Sequence, residues 1–246
     1  MERLLLCALV GLIAQTIDGA LGMAYGISCN TFLLSIGILP AMAAASVKAS
    51  EVFTTGISGA AHIKLGNVDK KLLYRLVFPG VLGGILGAYV LTNIDGEKIK
   101  PYIAAYLLIM GIVIIKKAFR RPVHKEEKHH HVSALGFFGA FLDAIGGGGW
   151  GPIVTSTLLA GGREPRTAIG SVNTAEFFVT IAQAATFFAF LKLEHHLVIL
   201  GLILGGVAAA PLAAYMVKHI PAKKLMITVG ILIILLSMRT MYMSFN

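Results

Sequence analysis

Four carboxylates and one lysine stand where so apolar a chain has little reason to carry charge. Asp18, Glu51, Asp143 and Glu176 each lie inside apolar sequence, and Lys48 comes three residues before Glu51. An ionisable group in such surroundings is costly. It marks a functional candidate: a proton carrier, an ion ligand or half of a neutralised pair. Lys48 and Glu51 share a helix face at that spacing, so mutual neutralisation and a direct role both stay open. Glu176 has no basic neighbour at helical spacing, which makes it the better candidate for carrying a proton. Asp18 and Asp143 have two open readings, coupling to transport or capping the helix that follows.

Both aspartates open a glycine-rich stretch. Residues 18–26 read DGALGMAYG and residues 143–151 read DAIGGGGWG. Glycine lets the backbone turn sharply and approach a ligand closely. A helix starting at such a turn presents N–H groups without intrahelical partners, which suits an anion without any charged side chain. Two such starts facing each other predict a cradle for a small oxyanion. Its expected lining is Gly22, Tyr25 and Gly26 from one stretch and Gly147, Gly148, Gly149, Trp150 and Gly151 from the other. Asn30, Ser46, Lys48, Ser171 and Asn173 are further ligand candidates nearby. Gln15 and Gln183 read as interhelical hydrogen-bonding groups. No metal and no cofactor is expected. His124 and His129, His130 and His131 fall in a basic loop with no cysteine or fixed carboxylate geometry beside them.

The elements that hold these groups are written twice. Shifting the chain by 125 positions lays Asp18 on Asp143, Gly22 on Gly147, Tyr25 on Trp150 and Gly26 on Gly151. Pro40 falls on Pro165, Ser46-Val47 on Ser171-Val172, and Glu51 on Glu176. Lys48 faces Asn173, so that position is not symmetric. The boundaries read as a first membrane repeat over 1–119, a charged linker over 120–131 and a second membrane repeat over 132–246. Each repeat starts with two short apolar segments, 3–17 and 24–38, then 132–145 and 150–160. Three longer ones follow. A helical crossing needs about 20 residues. The short pairs therefore predict re-entrant hairpins with their glycine tips at membrane depth, where irregular backbone must be satisfied by protein or by a water-filled cavity.

A hairpin plus three crossings is odd, so the repeats are expected to be inverted. Lysines and arginines agree. One face collects Lys64, Lys70, Lys71, Arg75, the linker, Arg163, Arg166, Lys218, Lys223 and Lys224. The other has only Arg3, Lys98, Lys100, Lys192 and Arg239. Excess positive charge stays cytoplasmic, which predicts the linker inside and both termini outside. Two full crossings in place of each hairpin would give the same parity.

Composition fits this picture. The 246 residues are 57% apolar and 13% charged, with a mean hydropathy of +0.81. The net charge of +9 is explained by the cytoplasmic loops and does not call for nucleic acid. Cys7 and Cys29 sit in apolar segments and predict no disulfide framework. No signal-peptide cleavage pattern, nucleotide-binding loop, H-E-x-x-H or G-x-S-x-G motif appears, so neither ATP-driven transport nor an intramembrane enzyme is expected. The small-residue faces 80–88 and 205–214 admit packing within one chain or between two, and so a homodimer.

Two homologous halves, the D-x-x-x-G-x-x-[YW]-G hairpin, the following proline and the S-V-x-x-x-E helix together resemble the TauE/SafE sulfite exporter family. The resemblance covers nearly the whole chain. It implies an all-α integral membrane protein that exports a small sulfur-containing anion, such as sulfite, sulfoacetate or another organosulfonate, across the cytoplasmic membrane. The motif positions are Asp18, Gly22, Gly26, Ser46 and Glu51, and Asp143, Gly147, Gly151, Ser171 and Glu176. Met23 and Ala24 stand where the second half has Gly148 and Gly149. Inverted repeats with broken helices predict alternating access around a midplane site. A passive anion channel and a cation carrier using the four acids are the rival readings.

Overall fold

A computed structural model describes residues 2–21, 23–119, 131–192, 195–219 and 222–245. Among these the chain is helical throughout, with no strand. The first half contains α1 (Glu2–Leu21), α2 (Tyr25–Ser35), α3 (Pro40–Lys64), α4 (Lys70–Thr92) and α5 (Gly96–Ala118). The second contains α6 (Val132–Gly146), a π turn (Gly151–Thr155) running into α7 (Ser156–Ala160), α8 (Pro165–Phe190), α9 (His196–His219) and α10 (Ala222–Phe245). Of the sequence-predicted sites, Gly22 lies outside the described residues. So does the linker over 120–130.

Local chemistry sets the boundaries. Pro40 and Pro165 begin α3 and α8, where a missing N–H costs nothing. Asp69, Asp95 and Glu164 cap α4, α5 and α8 by accepting hydrogen bonds from first-turn N–H groups. The bond from Thr167 N–H holds the exposed Glu164 carboxyl below its ordinary range. α1 runs longer than the predicted segment 3–17. Asp18 continues the helix because its carboxylate accepts from Tyr25 N–H beyond the turn.

Every large helix pairing joins the two halves, and the pairings match. α1 packs on α9 as α6 packs on α4, while α3 meets α8 and α5 meets α10. Small residues set the closest of these contacts. A Cβ on Gly205 would lie 1.9 Å from Ala8 O, and one on Gly83 would lie 2.1 Å from Phe137 O. Gly80, Gly84, Gly87 and Gly201 are likewise pressed against this same chain. The described parts of both small-residue faces are therefore spent inside the molecule. Close backbone approach supplies dispersion where lipid removes the hydrophobic drive.

The large apolar side chains point outward instead. Leu5, Leu9, Phe78, Leu82, Ile109 and Leu235 are exposed, whereas Lys48, Glu51, Asp143, Asn30 and Gln183 are buried. That is the pattern of a protein solvated by lipid. α4, α5 and 226–244 of α10 are each long and apolar enough to cross a membrane.

Two ends of the bundle can be told apart. At one, Arg163 reaches Asp69 at 3.4 Å and Arg166 bonds Asn67 and Leu65 O. At the other, Arg239 donates to Ser35 O at 2.9 Å, and Leu39 packs by Gly96. α6 begins beside Leu72 and Leu76, near the first end, and the chain after α7 returns there at Arg163. α1 begins beside Gly201 near the start of α9, and α2 finishes at Ser35, both towards the second end. Between them the two glycine-rich tips meet, level with the middles of α3 and α5.

Candidate functional site

The tips touch backbone to backbone. A Cβ on Gly26 would lie 3.1 Å from the Gly148 Cα, and one on Gly148 would lie 2.3 Å from Ile27 N. Asn30 donates its amide to Gly146 O at 2.9 Å, and Tyr106 donates its hydroxyl to Gly148 O at 3.0 Å. Gly147 adopts φ 69°, and only a residue without Cβ leaves room for the Asn30 amide there. On the first tip Ala24 takes a left-handed turn, φ 98°, at a position that glycine would fill with less strain.

Each tip is capped by its own aspartate. Tyr25 N–H donates to Asp18 Oδ1 at 3.3 Å, and Trp150 N–H donates to Asp143 Oδ1 at 3.1 Å. The matched spacing of seven residues gives the same device in both halves. Both bonds have the geometry that the capping reading calls for. They also set a negative group on each first-turn donor, where the cradle was expected to hold a free anion.

A charged network lies beneath. Lys48 Nζ donates to Glu51 Oε2 at 2.6 Å and to Asp143 Oδ2 at 2.7 Å. Lys48 thus neutralises the neighbour expected from helix spacing and also bridges to the other half. Gln183 Nε2 donates to Asp143 Oδ2 at 3.0 Å and to Ala140 O at 3.1 Å. Asp18, Tyr25, Gly26, Glu51, Asp143, Gly149, Trp150, Gly151 and Glu176 line one cavity at the tips. Its volume is about 10 Å³, the space of a single water-sized sphere. This is a closed arrangement, and nothing larger than a water fits it unless the tips part.

The pattern of a full-length match settles the family. The Sulfite exporter TauE/SafE family matches residues 7–240. The "Probable membrane transporter protein YtnM" of Bacillus subtilis (strain 168) is 43% identical over 250 residues, covering 98% of this chain and 83% of that protein. No solved structure matches significantly. The chain belongs to the TauE/SafE sulfite exporter family. It is a multi-pass membrane transporter and not an enzyme.

In this TauE/SafE chain the sequence-predicted residues divide into groups. Tyr25, Gly26, Asn30, Lys48, Gly147, Gly148, Gly149, Trp150 and Gly151 gather at the tips with all four acids. Tyr25 and Trp150 both line the cavity and are anchored, Tyr25 OH by Ser50 Oγ at 3.0 Å and Trp150 Nε1 by Val172 O at 3.2 Å. Ser46 turns instead to a separate crevice with Lys192 and His195. Ser171 accepts from Asp69 N–H at 2.8 Å near the first end, and Asn173 sits with Ser58 and His62. Tyr106 was missed, since its partner under the repeat alignment is Ile231 and symmetry draws no attention to it. Gln183 bonds between helices as expected, but its bond to the central acid carries no signature in sequence.

Proposed function

We propose that this protein is a secondary transporter exporting a small sulfur-containing oxyanion by alternating access. Two inverted repeats, each a re-entrant hairpin plus three crossings, rock about the tips, with the linker cytoplasmic and both termini outside. The observation that carries this reading is the meeting of the two tips over buried Lys48, midway between the ends of the bundle. The returns of the hairpins towards opposite ends support the inverted arrangement. So does the clustering of Arg163 and Arg166 with the loop between α3 and α4. A midplane site flanked by broken helices is typical of carriers that work by alternating access. An inside-negative potential favours anion exit by about 2.3 kcal/mol per charge per 100 mV.

The test is flux. Purified protein in liposomes should take up labelled sulfite, thiosulfate or sulfoacetate with saturation and with stimulation by the same anion on the far side. Unsaturable anion flux without such stimulation would make it a channel. The four acids lining the cavity favour a second reading, a cation carrier. Sodium or divalent-ion flux with no anion flux would establish that reading and remove the first.

A further inference from the structure

The carboxylate of Asp143 is held as an oxyanion ligand would be. Three donors from three elements converge on its two oxygens. Trp150 N–H, at the second tip, reaches Oδ1 at 3.1 Å. Lys48 Nζ from α3 reaches Oδ2 at 2.7 Å, and Gln183 Nε2 from α8 reaches the same oxygen at 3.0 Å. The Lys48 and Gln183 side chains are fully buried, and Asp143 is 2% exposed. Such a donor set, one cation and two N–H groups fixed in a buried site, recognises a carboxylate, sulfonate or sulfite oxygen edge by the same geometry. The matched residue in the first half does only part of this. Asp18 accepts from Tyr25 N–H, but the alignment puts Asn173 where Lys48 would serve it and Ser58 where Gln183 would.

We infer that Asp143 is a tethered occupant of the substrate site, that the transported oxyanion displaces it from Lys48, Gln183 and the Trp150 N–H, and that the site takes one negative charge. This rests on the oxyanion reading above and narrows it to monoanions such as hydrogensulfite, so that thiosulfate and sulfoacetate, which carry two charges, should be the poorer substrates. Glu51 alone already balances Lys48. Asp143 adds one further negative charge to the triad, so a monoanion in its place leaves the local charge unchanged. A dianion would add an uncompensated charge to a buried site. Displaced, the Asp143 carboxylate faces Glu51 from α3, Asp18 from α1 and Glu176 from α8, which line the same cavity. Lys48 is the one cation they share among the described residues lining the tips, and the hydroxyls facing them, Tyr25 from α2 and Tyr106 from α5, are neutral donors.

Trp150 is the only tryptophan in the chain and lies at the site, so its fluorescence reads occupancy. Methanesulfonate is a suitable probe because it stays a monoanion across the pH range, and sulfate is its dianionic counterpart. Removing the occupant in Asp143→Ala should tighten methanesulfonate binding by about tenfold or more, as a self-occupied site weakens apparent affinity by its free fraction. Asp143→Asn should tighten it less, since the amide still fills the place. Gln183→Leu should weaken it, and sulfate should bind worse than methanesulfonate to every form. If Asp143→Ala and Asp143→Asn, both folded by thermal melt, bind methanesulfonate no tighter than wild type, the occupant idea is wrong. Anion flux by wild type in that same preparation would leave the transporter reading standing, whereas its absence would fell both.

Discussion

At the scale of single residues, Lys48 decides the electrostatics of the interior. It is fully buried and is held by two carboxylates at 2.6 and 2.7 Å, one from each half. A buried ion pair is worth little against an apolar replacement of the whole group, but losing one partner strands the other charges. Lys48→Met should therefore destabilise the protein by about 3–5 kcal/mol, seen as a lowered melting temperature in detergent. Adding Glu51→Gln and Asp143→Asn to that variant should recover most of the loss, because no unpaired charge remains. A simple sum of three penalties would argue that the side chains act as packing and not as a charge network. Part of this was legible in sequence. The spacing of three made the pairing of Lys48 with Glu51 one of two open readings, and the repeat marked Asp143. The bridge from Lys48 to Asp143 was not legible, because it crosses 95 positions and breaks the very symmetry that identified its members.

At the scale of elements, the glycine-rich tips are where sequence and structure agree most closely. Runs such as Gly147, Gly148 and Gly149 signal close backbone approach in one dimension, and the structure uses them for that. What they approach was expected to be a ligand and is in this closed form the other tip. Helix ends followed rules local enough to read, with proline first in α3 and α8 and aspartate before α4 and α5. The end of α1 was harder, since the apolar run stops at residue 17 while the helix continues to Leu21. The contact between tips has a direct consequence. A methyl on Gly148 would meet the α2 backbone at Ile27 N, with no flexible side chain to yield. Gly148→Ala should cost about 1–3 kcal/mol of stability from overpacking. It should also hold the tips apart, raising the reactivity of Cys29 in α2, which is fully buried here, towards a small thiol reagent. Unchanged Cys29 protection together with a wild-type melt would mean that the tips do not rely on this contact.

At the scale of the whole molecule, the matched pairings α1–α9 and α6–α4 mean that neither half has a complete interior alone. α1 and α6 each pack chiefly on a helix of the other half, so under the proposed mechanism a movement of one repeat would carry the opposite tip with it. That coupling is what rocking about a central site needs, and it makes the orientation of the two ends the decisive global property. Leu65 marks the end carrying Arg163 and Arg166 and is 62% exposed, while Leu39 marks the other end and is 41% exposed. Both native cysteines are buried and unpaired, so they add little background to surface labelling. With the basic end inside, Leu39→Cys should react with an impermeant maleimide in intact cells, and Leu65→Cys only after the membrane is opened. Reaction of both from one side would remove the inverted arrangement and with it the midplane site. Exchange of the two patterns would keep the arrangement but reverse its direction, setting the basic end outside against the usual retention of positive charge in the cytoplasm.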